Sequence, residues 1–202
     1  MNKLDLRTAL IADTHRDYGE AEMNRYIAQG ESLIRQKLVA YGLEYTFTDA
    51  DRNVDTAIYV LPSGVVKIRQ IFYNGCKLDE LDEAGIANLK HVSGLRAYVI
   101  RPTSILVASM PAVDTEFQMN YLGIPDALAT DVDTNPLLND CPQLYLEAAA
   151  VYVYKRAQDY ESSQGALASF STLITAINTK MKRLLGSPRA APVYNTSFRS
   201  SY

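Results

Sequence analysis

Apolar residues recur at helical spacing toward both ends of the chain and alternate with polar residues in its middle. From 20 to 41, Met23, Tyr26, Ile27, Gly30, Leu33, Ile34, Leu38 and Tyr41 fall on one face of a 3.6-residue repeat. Gly42 stands where a C-terminal cap belongs, so this stretch predicts one helix. A shorter helix is predicted over Leu6 to Thr14, with Asp5 as its N-cap and the Tyr18-Gly19 pair turning the corner. From 43 to 56 the periodicity fades among Asp and Thr residues, which predicts a loop.

Strand signals follow. Ala57 to Leu61 ends at Pro62, and Val66, Ile68 and Phe72 then share a parity against Lys67 and Arg69. Asn74-Gly75 is the pair preferred by a tight type I′ hairpin, because both central positions need positive φ. Leu78 to Leu89 reads as a short helical excursion, and Tyr98–Ile100 and Ser104–Ala108 as two strands joined through Arg101-Pro102-Thr103. Phe117, Met119 and Tyr121 alternate with Glu116, Gln118 and Asn120, the period-two signature of a half-buried strand. A small antiparallel sheet is the expected result.

The last third is helical again. Asp140 and Pro142 mark a helix start, and the run to Tyr160 passes through Ala148-Ala149-Ala150-Val151, apolar on nearly every side, so this helix is expected to be surrounded. After a polar break at Ser162-Ser163-Gln164-Gly165, a second helix carries Leu167, Phe170, Leu173, Ile174, Ile177, Met181, Leu184 and Leu185 on one stripe. Lys180, Lys182 and Arg183 sit favourably against its C-terminal dipole, and Gly186-Ser187-Pro188 stops it. Beyond it, Val193, Tyr194, Phe198 and Tyr202 are scattered among Ser, Thr, Asn and Pro. Such a tail has no local core and reads equally as a frayed terminus or as an arm that lays its anchors on a partner. The expected fold is therefore α+β. A helical bundle built from 1–56 and 135–186 ends in a long antiparallel helical hairpin, a small antiparallel β-domain is inserted at 57–134, and 187–202 forms an extended C-terminal tail.

Composition narrows the function classes. Of 202 residues, 48% are hydrophobic and 21% charged, enough apolar material for a core. No apolar run approaches the roughly 20 residues of a membrane helix, and the N-terminus lacks a signal-peptide pattern, which predicts a protein that stays where it is made. The net charge of −3 disfavours a protein that grips phosphate backbone. Cys76 and Cys141 have neither metal-ligand nor redox-pair spacing and read as reduced thiols.

Candidate chemistry is sparse. No dinucleotide fingerprint or P-loop pattern occurs, and His15 and His91 have no neighbouring ligands to complete a metal site. Asp131-Val132-Asp133-Thr134-Asn135 copies the first ligands of a calcium loop. Pro136 then stands where glycine is needed and Pro142 where a bidentate glutamate is needed, so turn chemistry explains it better. Asp79-Glu80 and Asp82-Glu83 read as a solvated helix start rather than an acid/base dyad. The expectation is a protein without catalytic residues, cofactor or metal.

A series of local patterns carries a resemblance. Tyr59-Val60-Leu61-Pro62 leads to Tyr73-Asn74-Gly75, then Leu95-Arg96-Ala97-Tyr98-Val99-Ile100, then Met110-Pro111; Asn135-Pro136-Leu137-Leu138 leads through Pro142 into Leu144-Tyr145-Leu146-Glu147-Ala148. In this order the patterns resemble the head-to-tail adaptor (connector) proteins of tailed bacteriophages, over about Leu6 to Leu185. Ser63-Gly64 departs from that pattern, which more usually has an acidic-aromatic pair after the proline.

The resemblance implies a structural virion protein, made in the host cytoplasm, that forms a ring of about twelve copies under the portal at the capsid vertex or neck. It implies the portal protein and a tail, nozzle or stopper protein as partners, with genomic DNA passing through the lumen without specific binding and no membrane contact. On this reading Leu144, Ala148, Val151, Phe170, Ile174 and Ile177 serve inter-subunit packing, and Val193, Tyr194, Phe198, Arg199 and Tyr202 bind the portal. A neck or tail-completion component on the tail side is the alternative, with a small-ligand-binding domain further behind.

Overall fold

The computed structural model describes residues 1–47, 58–73, 75–85, 97–107 and 117–186. Helices α1 (Lys3–Thr14) and α2 (Glu20–Lys37) come first. Strands β1 (Tyr41–Phe47), β2 (Ile58–Val60), β3 (Val65–Tyr73), β4 (Cys76–Lys77), β5 (Asp79–Glu80), β6 (Ala97–Ile100), β7 (Ser104–Val107) and β8 (Phe117–Gly123) follow. Helices α3 (Pro136–Asp140), α4 (Pro142–Arg156) and α5 (Tyr160–Gly186) complete a mixed α+β chain. One four-stranded sheet has the order β1-β8-β3-β4 and the other β2-β7-β6-β5.

The chain divides into two compact units. The first comprises Met1–Tyr45, Pro62–Arg69 and Asn120–Arg183; the second comprises the described residues within Thr46–Leu61, Gln70–Met119 and Leu184–Tyr202.

In the first unit α4 is the central element. Leu144, Tyr145, Leu146, Ala148, Ala149, Ala150, Val151 and Val153 are all buried, as the all-round apolar run predicts. Each fully buried Leu or Val contributes about 1.5–3 kcal/mol. Helix α2 crosses α4 closely: a Cβ placed on Gly30 would lie 2.8 Å from the Ala149 nitrogen, so only glycine permits this approach. Helix α1 begins with a capping box. The Asn2 side chain accepts from the Asp5 N–H at 2.8 Å, and the Asp5 carboxylate accepts from the Asn2 N–H at 3.1 Å. Asn2, not Asp5, is therefore the cap, and the helix starts earlier than the sequence suggests. The free N–H groups of Lys3 and Leu4 donate to the carbonyls of Asp133 and Asp131, both at 3.0 Å, so the segment before α3 completes the helix start.

Three element boundaries differ from expectation for a physical reason. Helix α2 ends at Lys37, not Tyr41, because a residue far along the chain caps it. Asn178 of α5 accepts from the Val39 N–H at 2.8 Å and donates to the Lys37 carbonyl at 2.7 Å. The stretch expected as loop then forms β1, in which Tyr41, Leu43, Tyr45 and Phe47 are at least half-buried while Gly42, Glu44 and Thr46 are exposed. The break between α4 and α5 falls at Ala157–Asp159 rather than at Ser162–Gly165. Gln158 takes φ 59°, and Asp159 accepts from the Ser162 N–H at 3.2 Å, so the two serines lie inside the first turn of α5.

In the second unit three rings form the aromatic centre. Phe47 and Phe117 have centroids 4.6 Å apart, Tyr59 and Phe117 4.7 Å, and Phe47 and Tyr59 5.4 Å. Strands β6 and β7 pair antiparallel through Tyr98↔Val107 and Ile100↔Ile105, and β2 pairs with β7 through Tyr59↔Ile105. Phe72↔Lys77 and Tyr73↔Cys76 make the expected hairpin pairing, with Gly75 at φ 69°; Asn74 lies outside the described residues. The predicted helix over 78–89 is corrected here. Asp79 and Glu80 form β5, which runs parallel to Ala97 and Tyr98, so this sheet is not wholly antiparallel. Only 83–85 is helical, and residues 86–89 lie outside the described set.

Candidate functional site

The residues carrying charge inside the first unit hold segments together. Arg7 of α1 is almost enclosed, with 11% of its side chain exposed. Its guanidinium donates two hydrogen bonds of 3.1 Å to the Asp131 carboxylate, one of 3.1 Å to Glu20 and one of 3.1 Å to the Asn24 side chain. The segment that imitates a calcium loop is thereby accounted for. Asp131 pairs with Arg7, Asp133 accepts from the hydroxyl and N–H of Thr130, and the Thr134 hydroxyl donates to the Met1 carbonyl. Those two bonds from Thr130 hold the Asp133 carboxyl below its usual range. Asn135 caps α3 through the Leu138 N–H at 2.8 Å. Among the described residues no group of three or more His, Cys, Asp or Glu side chains is arranged to hold a metal ion.

Glu31 of α2 is buried and accepts from the Leu128 N–H at 3.0 Å, while Arg35, one turn later, donates to the Pro125 carbonyl at 2.9 Å. Burial pushes the Glu31 carboxyl above its ordinary range, and the Leu128 N–H, Arg35 and Lys3 oppose this. Tyr145 of α4 exchanges hydrogen bonds with the Asn135 side chain at 3.0 and 3.2 Å, and burial raises its phenol to about 12. Tyr41 donates to Asp140 at 2.5 Å; burial and then that carboxylate push its phenol above the usual range. In the second unit Tyr98 is raised to about 12 by burial, with Asp79 adding to it. Glu31, Arg35, Tyr145 and Tyr41 are engaged in holding the fold, and sequence reasoning missed the pairings because their partners lie up to 99 residues away.

The sequence-predicted contact residues divide sharply. Leu144, Ala148, Val151, Phe170 and Ile174 are buried within the chain itself, and Ile177 is half-buried. The five tail positions, Val193, Tyr194, Phe198, Arg199 and Tyr202, lie outside the described residues, as does His91. His15 is exposed at the end of α1, where it adopts φ 51°. Cys76 and Cys141 are free and half-buried. No helix among the described residues is long and apolar enough to cross a membrane.

The charged groups named here tie segments of the first unit together. The chain matches the SU10 adaptor protein family over residues 1–196, and it belongs to that family. This is a family of structural phage adaptors and not a class of enzyme. Among curated proteins no sequence matches the chain.

Proposed function

We propose that this protein is the head-to-tail adaptor of a tailed phage, forming a ring that docks under the portal and joins the capsid vertex to the tail around a central DNA channel. The family match over residues 1–196 carries this reading. In this proposal α4 and α5 form the helical hairpin at which subunits meet. Leu144, Ala148, Val151, Phe170 and Ile174 stiffen it from within, and half-buried Ile177 continues the stripe of Phe170 and Ile174. The β-rich stretch 57–134 serves as an inserted domain toward a tail or stopper protein. The 187–202 tail docks on the portal through Val193, Tyr194, Phe198, Arg199 and Tyr202.

The test is retention of purified cognate portal on the immobilised full-length chain and on a chain ending at Gly186. The full chain retains portal and the shortened chain loses most of it. Equal retention by both removes the tail's role, and no retention by either removes the adaptor reading.

A further inference from the structure

Helix α5 turns two unlike faces outward and inward. The 18 residues from 162 to 179 contain no ionisable side chain. Toward the core the helix buries Ser163, Ala166, Phe170 and Ile174. On the far side Gln164, Ala168, Ser171, Thr172, Thr175 and Thr179 are all exposed and fall along one stripe of the helix. Exposed helix surfaces ordinarily carry Glu, Lys, Arg and Gln, which are better helix formers than Ser or Thr. Here three of the four hydroxyls turn back on the helix. Ser171 donates to the Leu167 carbonyl at 2.7 Å, Thr172 to Ala168 at 3.1 Å and Thr179 to Thr175 at 2.8 Å. Their donors are used within the helix, and the stripe presents small, uncharged side chains. Charge appears only at the ends, as Glu161 and, past the stripe, Lys180, Lys182 and Arg183. Helix α2 offers the contrast within the same unit: Glu20, Arg25, Arg35 and Lys37 are spread along its exposed side.

A second such face lies on α1. Leu4 is 44% exposed, Thr8 and Ala12 are exposed, and the Thr8 hydroxyl donates back to the Leu4 carbonyl at 3.0 Å. Val132, 79% exposed, extends this face. It is held there because the carbonyls on either side of it accept from Lys3 and Leu4 and because Asp131 is clamped by Arg7. Two acidic side chains of α1, Asp5 and Asp13, are exposed, while the N-terminal ammonium is engaged with the Asn139 side chain at 3.0 Å.

We propose that the outer face of α5 in one copy packs on the α1–Val132 face of the next copy, Lys180 and Lys182 meeting Asp5 and Asp13. Two different, charge-complementary faces on one chain make a heterologous contact, the kind that closes into a ring when the rotation fits. The inference rests on the ring reading above and names the surfaces that build it.

The test uses the full chain with Cys76→Ser and Cys141→Ser, adding Thr8→Cys, Thr172→Cys or both, oxidised with and without cognate portal and resolved on a denaturing gel. Chains with both cysteines give a ladder of disulfide-linked multimers, and either single cysteine gives none. A dimer from Thr172→Cys alone means that two α5 faces meet each other, which overturns the proposal. So does an absent ladder when the wild-type chain forms a ring on the portal. A ladder without any portal-bound ring keeps this contact and defeats the adaptor reading instead, so the two fail separately. As a second measure, Thr172→Arg lowers the assembled fraction about tenfold while the urea midpoint of the free chain stays unchanged. Unchanged assembly of that variant contradicts the contact.

Discussion

Helices α4 and α5 are neighbours in sequence, yet they satisfy their surfaces in opposite ways. Helix α4 meets apolar positions of its own chain on nearly every side, with Leu144 and Ala148 at 0% exposure. Helix α5 is nearly twice as long, 27 residues against 15, and closes only one face, leaving an uncharged stripe outside. The difference teaches that apolar content alone does not locate an interface. The run Ala148-Ala149-Ala150-Val151, which in the sequence attracts attention as a packing surface, is consumed by folding, whereas the plainer Ser, Thr and Ala positions of α5 remain exposed.

That contrast is most sharply tested by truncating the α4 core. Leu144→Ala is expected to cost about 3 kcal/mol of stability, read as a lowered urea midpoint, because its neighbours are fixed by the chain itself. Tolerance of this change would mean that α4 is not the centre of the fold. Gly30→Ala presses a methyl onto the backbone of α4 and is expected to cost about 2 kcal/mol by the same measurement. An unchanged midpoint would show that the two helices have room to separate.

A smaller effect is expected from Glu31→Gln. The folded state raises the Glu31 pKa by burial. The wild type therefore holds a relative advantage at low pH that is lost as pH rises through the folded pKa. Gln cannot ionise, so the stability of the variant relative to wild type should increase as pH rises above the ordinary carboxylate range. A constant difference over that rise would show that the carboxyl is not desolvated. Smallest of all, Thr172→Ala on the outer face of α5 should change stability by no more than about 0.5 kcal/mol. A larger loss would place that face in contact with the chain's own core.

Much of this organisation is legible in the sequence, and the misses share a cause. The stripe of α2, the alternation of β8 and the apolar wall of α4 are local patterns, and local patterns reach the structure almost unchanged. The end of α2 does not, since Leu38 and Tyr41 continue its apolar spacing and only Asn178, far along the chain, stops it. Once the helix is extended to Tyr41, the alternation Tyr41, Leu43, Tyr45, Phe47 is hidden, although it was readable. Strand β5 is two acidic residues whose identity as a strand comes entirely from pairing with Ala97 and Tyr98. The α1–Val132 face depends on Arg7 meeting Asp131 across 124 positions, which no periodicity reports. The α5 stripe was visible as an uncharged run, but its meaning required knowing which side faces the core.

The most direct test of the adaptor account is the mass of the purified protein by native mass spectrometry or light scattering, alone and mixed with its cognate portal. The account predicts a monomer alone and a ring of many copies on the portal. A protein that remains a monomer in the presence of portal would contradict it.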